Sequence, residues 1–190
     1  PDNRPPHRLA PAQAGADDAM TAVLSSLYTT LPTGAGLQVT LLASPQDCGL
    51  DGGEFCAIWL GPEMPGDQRR DDALSACFDS APMEQTDIVG ASVLTLRLTA
   101  DKPCAQLAVR LNHIHPDGAA TRITWGVLNL AHRDSAEHPA ALVPGQEYEV
   151  RIVLDHIAYR LPAGHRLRVA VSSNYWPMLW PMPEQAALTL

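Results

Sequence analysis

The sequence predicts an all-β protein, an antiparallel β-sandwich of the jelly-roll type. Three observations carry that prediction. Apolar and polar residues alternate in several segments between residues 93 and 172, the period of a strand with one buried face. Proline accounts for 17 of 190 residues, about 9% against a usual ~5%, and the aromatic and β-branched runs lie between those prolines. No segment of the second half has convincing helical periodicity. About eight strands with long cross-connections imply a sandwich, most commonly arranged as a jelly roll.

The elements follow in order. Residues 1–20 are rich in Pro, Ala and Asp and read as an arm, with His7–Ala10 a candidate first strand. Met20, Val23, Leu24 and Leu27 are spaced for a short helix capped by Asp17 or Asp18. Leu37–Leu42 is strand-like, and residues 45–72 form a long Gly-, Pro- and Asp-rich loop carrying Phe55, Ile58 and Trp59. Loops of that length inside a domain are usually functional or mobile. Leu74–Phe78 is a short strand, and Val93–Thr99 puts Leu94, Leu96 and Leu98 on one face. Ala105–His113 groups Leu107, Val109 and Leu111 before the turn Pro116-Asp117-Gly118.

Arg122–Leu130 has Gly126 in mid-strand, where the apolar parity changes. That pattern predicts a bulge or a strand buried on both faces. After Pro144-Gly145, Tyr148, Val150, Ile152 and Leu154 point inward and Glu149, Arg151 and Asp155 outward. Pro162 and Gly164 then turn the chain into Leu167–Ser172. Tyr175, Trp176 and Trp180 follow among Pro177, Pro181 and Pro183, and Leu188–Leu190 is the last strand.

Bulk properties bound the function. A chain of 190 residues suits one domain with an added arm and buries roughly 70% of its unfolded surface. A net charge of −8 with no basic stripe argues against nucleic acid as a partner. No apolar run approaches the ~20 residues of a membrane span, so no membrane partner is expected. Cys48, Cys56, Cys77 and Cys104 lack metal-type pairing, and a reduced, cytoplasmic protein is the expectation. The chain begins at Pro1 without an initiator methionine and is expected to be processed, truncated or cut from something longer.

Candidate chemistry is sparse. No G-x-S-x-G frames Ser25, Ser75, Ser80, Ser172 or Ser173, so no catalytic residue is assigned and no autonomous activity is expected. His113 and His115 are two apart and share a strand face, as a metal pair requires. They also share parity with Leu107, Val109 and Leu111, which favours a structural role at the rim of the core and no metal. His132 and His138 flank a polar loop. His156 and His165 sit at strand ends, where hydrogen bonding is expected. The run Asp67-Gln68-Arg69-Arg70-Asp71-Asp72 reads as a solvated loop, as an ion-pair network pinning the long loop, or as a docking element using forked arginine contacts. Trp176 and Trp180 could stack on a sugar, but their neighbours Met178, Leu179 and Met182 favour a domain contact.

The segments Phe78–Ser135 and Pro144–Ser173 resemble the C-terminal domain of the CocE/NonD hydrolases, which is shared with X-prolyl dipeptidyl peptidases of the peptidase S15 clan. The matching features are Asp67-Gln68-Arg69 with Asp72, the Phe78 strand leading to Gly90, and Pro116-Asp117-Gly118. The Gly126 strand ending in His132-Arg133, and Pro162 with Gly164-His165-Arg166, match as well. The resemblance covers residues 45–190, and residues 1–44 match poorly as an arm and leading strands. It implies a galactose-binding-like jelly roll appended to an α/β-hydrolase domain, which holds the whole Ser-Asp-His triad. The chain is then expected to be a non-catalytic accessory domain, inactive alone, with the catalytic domain of the same parent chain as its partner and no cofactor. The parent is expected to be a serine esterase or an X-Pro dipeptidyl peptidase. Phe55 and Trp59 become candidates for a substrate-pocket wall, and Asp67, Arg69, Asp72, Trp176 and Trp180 for domain docking. A free-standing carbohydrate-binding module is the rival reading, and homo-oligomerisation is left open.

Overall fold

Eight strands run through the described residues (41–56, 58 and 63–190) of a computed structural model. They are β1 (Leu41–Leu42), β2 (Ala76–Asp79), β3 (Thr86–Ala100), β4 (Gln106–Ile114), β5 (Ala120–Asn129), β6 (Tyr148–Leu161), β7 (Arg166–Ser172) and β8 (Leu188–Thr189). Among the described residues, helix is confined to one turn, α1 (Arg69–Asp72), and a 3-10 turn at Leu130–His132. The expected strand at His7–Ala10, the helix near Asp17–Leu27, most of Leu37–Leu42 and Trp59 lie outside the described residues.

The strands form two antiparallel four-stranded sheets, in the orders β1-β8-β3-β6 and β2-β7-β4-β5. Alternation dictates which side chains meet between them. Leu94, Leu96 and Leu98 of β3 and Val150, Ile152 and Leu154 of β6 join Leu107, Val109 and Leu111 of β4 and Leu167, Val169 and Val171 of β7 in one buried core. The all-β sandwich expected from the period-two pattern is therefore what forms. Along β6 the inward parity changes, from Leu154 to Ile157 and Leu161. The cause is a register shift opposite Ala91 and Val93, where an extra residue turns the strand over.

Gly126 has a different reason. The bulge in β5 falls near Ile123, where the pairing jumps from Leu111↔Thr124 to Asn112↔Arg122. Gly126 marks a close approach of two backbones. A Cβ there would lie 2.6 Å from the Val153 carbonyl oxygen and 3.1 Å from Leu154 Cα. Edge strand β5 thus touches edge strand β6 of the other sheet, and Thr124 Oγ1 donates across to the Asp155 carbonyl at 2.9 Å.

Every residue of β4 is buried. Its odd positions face the sandwich, so its even positions, Gln106, Ala108, Arg110 and Asn112, must be covered from the other side. Residues 44–56, 63–75 and 173–180 supply that cover, and this outer layer carries the candidate site.

Candidate docking face

Arg110 stands at the centre of the covered face, and its side chain is fully excluded from solvent. A buried guanidinium needs partners, and for the Nη2 of Arg110 they come from α1 and from Ser75 just after it, while its Nε and Nη1 have no hydrogen-bond partner among the described residues. Its Nη2 donates to Ser75 Oγ at 2.7 Å, and to the Asp71 carbonyl and Asp72 Oδ1 at 3.3 Å each. The guanidinium also lies over the Tyr175 ring, 4.8 Å from its centroid, a cation–π contact. Asp72 is the hub of the group. Its Oδ1 also accepts from Asn112 Nδ2 at 2.8 Å, and its Oδ2 accepts from Arg168 Nη1 at 3.2 Å. Arg168 grips Asp79 with two bonds of 2.6 and 2.8 Å. Burial pushes the Asp72 carboxyl above the usual range, while Arg110, Arg168 and Asn112 act against it.

The same run pins the long loop. Asp71 accepts from the backbone N–H groups of Gly49 (2.8 Å) and Asp51 (3.1 Å). Burial raises its carboxyl too, opposed by those N–H groups and by Arg110. Gln68, fully buried, donates to the carbonyls of Asp51 and Gly66 and accepts from the Tyr175 hydroxyl at 3.0 Å. Arg122 in turn donates to that hydroxyl at 2.7 Å. The turn from Tyr175 to Leu179 is tied to the loop by Trp176 N–H donating to the Cys48 carbonyl at 2.8 Å. Gly49 sits beneath it at φ +115°, where a Cβ would fall 2.3 Å from the Trp176 oxygen.

Outside this pinned layer the side chains turn apolar. Phe55 is 74% exposed and Trp180 69% exposed, with Leu50, Ile58 and Met64 also in water. Trp176 packs against Trp180, ring centroids 4.8 Å apart and planes tilted by 48°, so the two faces do not form one flat platform for a sugar ring. The Trp180 carbonyl accepts from Gln106 Nε2 at 2.5 Å, which anchors its backbone while its ring stays in solvent. Beside it, a pocket lined by Gln106, Ser173, Asn174 and Met182 holds about 60 Å³, far below the ~300 Å³ of a small-molecule site.

Residues 5–190 match the family described as the X-Pro dipeptidyl-peptidase C-terminal non-catalytic domain. The chain belongs to that family. It is 28% identical over 171 residues to cocaine esterase of Rhodococcus sp. (strain MB1 Bresler), a match covering 86% of this chain and 29% of the esterase. An alpha-amino acid ester hydrolase shares the fold with a TM-score of 0.70 at 17% identity, over 82% of this chain and 31% of that one. A CocE/NonD family hydrolase from Staphylococcus aureus superposes with a TM-score of 0.51 at 16% identity, over 63% of this chain and 29% of its own. The chain therefore spans about three-tenths of the length of these relatives, which are larger proteins named as hydrolases.

Ser75, Ser80 and Ser173 bond within the chain's own loops and turns. Ser75 Oγ donates to the Asp71 carbonyl, Ser80 Oγ to the Ala81 carbonyl, and Ser173 Oγ accepts from Ser44 N–H. None of the serines among the described residues donates to a histidine ring.

The docking residues expected from sequence divide. Trp176 and Trp180 lie together at the surface, and Asp67 and Arg69 form an exposed 2.8 Å pair. Asp67 also caps the turn by accepting from the N–H groups of Arg69 and Ala120. Asp72 is corrected: its side chain is 1% exposed and bound on both oxygens, so it holds this domain together and cannot reach a partner. Phe55 projects into water. Sequence reasoning missed Arg110, Asn112 and Tyr175. Their partners lie 35 to 107 residues away, and the local signal was a charged residue set between the apolar Val109 and Leu111.

Proposed function

We propose that this chain is the accessory domain of an ester- or amide-cleaving serine hydrolase, packing on the α/β-hydrolase domain of the same polypeptide and helping to wall its substrate pocket. The observation that carries the reading is an apolar set, Phe55, Ile58, Met64 and Trp180, mounted on a layer that buried ion pairs hold rigid. Large aromatics held in water on a pinned layer suit an anchoring role at an interface. In this reading the nucleophile, its base and the oxyanion hole belong to the partner domain, which forms and hydrolyses an acyl-enzyme. This domain supplies part of the wall that selects the acyl or peptide group.

The test uses the full-length parent protein. Trp180→Asp should split one thermal transition into two, as the domains lose their contact. Phe55→Ala should change the ratio of kcat/KM values for a bulky and a small aryl ester while leaving the melting profile intact. A single unchanged transition for Trp180→Asp, with unchanged selectivity for Phe55→Ala, would sink the proposal. Comparing aryl esters with an X-Pro dipeptide amide assigns the reaction class.

A further inference from the structure

The inner face of β4 ends in a second polar cluster that the docking reading does not use. His113 lies in the last turn of the pleat, and His115 follows two residues on, on the same face. The β4–β7 register pairs His113 with Leu167 and Ile114 with Arg166. Continued by one residue, it sets His165 opposite His115. Three imidazoles from two chain segments thus converge, with one ring nitrogen of each within 4.8 Å of the others. His113 is 3% exposed, while His115 and His165 are half-buried, so the cluster is open on one side. Arg166 and Arg168 lie on the opposite parity and are held by Asp79 and Asp72, which keeps their charge off this face.

We propose that His113, His115 and His165 form a site for one borderline divalent transition metal such as Zn²⁺, with its fourth position open to water. Three histidines with an open position are an established zinc arrangement. The remote nitrogens support the assignment. His113 Nδ1 is 2.7 Å from the Tyr159 hydroxyl, and His115 Nε2 is 3.0 Å from Thr121 Oγ1. Ligating histidines characteristically have their other nitrogen held in this way. His113 Nε2 and His115 Nδ1 are then the nitrogens left for an ion. His113 Nε2 now faces His165 Nδ1 at 2.5 Å, the contact of two rings sharing a proton. A metal would replace that proton and set neighbouring nitrogens about 3.3 Å apart, given Zn–N bonds of ~2.0 Å in a tetrahedron. The required shifts are on the order of 1 Å at two half-buried rings. Bound there, the ion would clip the end of β4 to the β6–β7 turn.

The experiment takes the full chain stripped with EDTA and titrates Zn²⁺ while following Tm, with Co²⁺ as a spectroscopic stand-in. One equivalent should bind, Tm should rise by about 5–10 °C at a hundredfold excess over Kd, and Co²⁺ should give tetrahedral visible absorption. His165→Ala, which keeps the backbone hydrogen bonds of its turn to Met83 and Pro162, should abolish the shift and the band. His138→Ala, in a separate polar loop, should keep both. An equal Zn²⁺ shift in wild type and His165→Ala, or no shift with Zn²⁺ at millimolar levels, overturns the site.

Discussion

Replacing Asp72 by alanine tests the buried network directly. Asp72 and Arg110 are both excluded from solvent and paired at 3.3 Å. Without the carboxylate, Arg110 keeps the Ser75 hydroxyl, the Asp71 carbonyl and the Tyr175 ring, all of them neutral groups. Asn112 Nδ2 loses its carboxylate acceptor, while Arg168 retains both bonds to Asp79. Breaking a buried pair from one side costs about 3–5 kcal/mol. At about 2–4 °C per kcal/mol for a chain of this size, Tm should fall by roughly 6–20 °C.

The comparison is Asp87→Ala. Asp87 meets Arg160 at 2.6 and 2.9 Å, closer than Asp72 meets Arg110, but both partners are exposed. If distance governed, Asp87 would matter more; if burial governs, its loss should be far smaller. The pair Asp72→Leu/Arg110→Met should recover part of the stability lost in Asp72→Ala, because no charge is then stranded. Urea and thermal denaturation read all three. A shift for Asp72→Ala no larger than that for Asp87→Ala, or a double variant no better than the single one, would refute the reasoning.

Other substitutions probe separate parts of the argument. Gly126→Ala should destabilise by about 1–3 kcal/mol in urea denaturation, since the Val153 carbonyl oxygen and the Leu154 Cα it meets are β6 backbone and cannot step aside. Tyr175→Phe keeps the ring over Arg110 but removes the hydroxyl between Arg122 and Gln68; a loss of about 1–2 kcal/mol is expected, with faster amide exchange at residues 49–52. Gly49→Ala should release the loop and the Tyr175–Leu179 turn together, seen as new proteolytic cleavage in both segments, because its φ and the Trp176 backbone both exclude a side chain.

The core was legible because it obeys a local rule. Leu94, Leu96 and Leu98, or Val150, Ile152 and Leu154, announce their face by period alone, and each is buried as the alternation requires. Bulges are harder to read. The extra residue near Ile123 leaves no polar mark, whereas Gly126, three positions on, looked like its cause and instead accommodates a neighbouring backbone. His165 was hidden for a related reason. It is 52 residues from His113, and only the β4–β7 register brings the two together.

The outer layer escapes a pattern reading on different grounds. On an antiparallel strand, a charged residue of outward parity normally signals water, and Arg110 and Asn112 have that parity. Their burial depends on residues 44–51 and 66–75 folding back over β4, and that return is itself held by the charges it covers. Cause and consequence are therefore mutual: Asp71 and Asp72 shape the loop, and the loop shields the pairs that fix Asp71 and Asp72. Such an arrangement contributes little as a generic source of stability, but it sets one position for the cover. A surface meant to meet a second domain benefits from that. Phe55 and Trp180 can act as anchors only if the segments bearing them do not have to be ordered again on docking, a cost that rigid mounting removes.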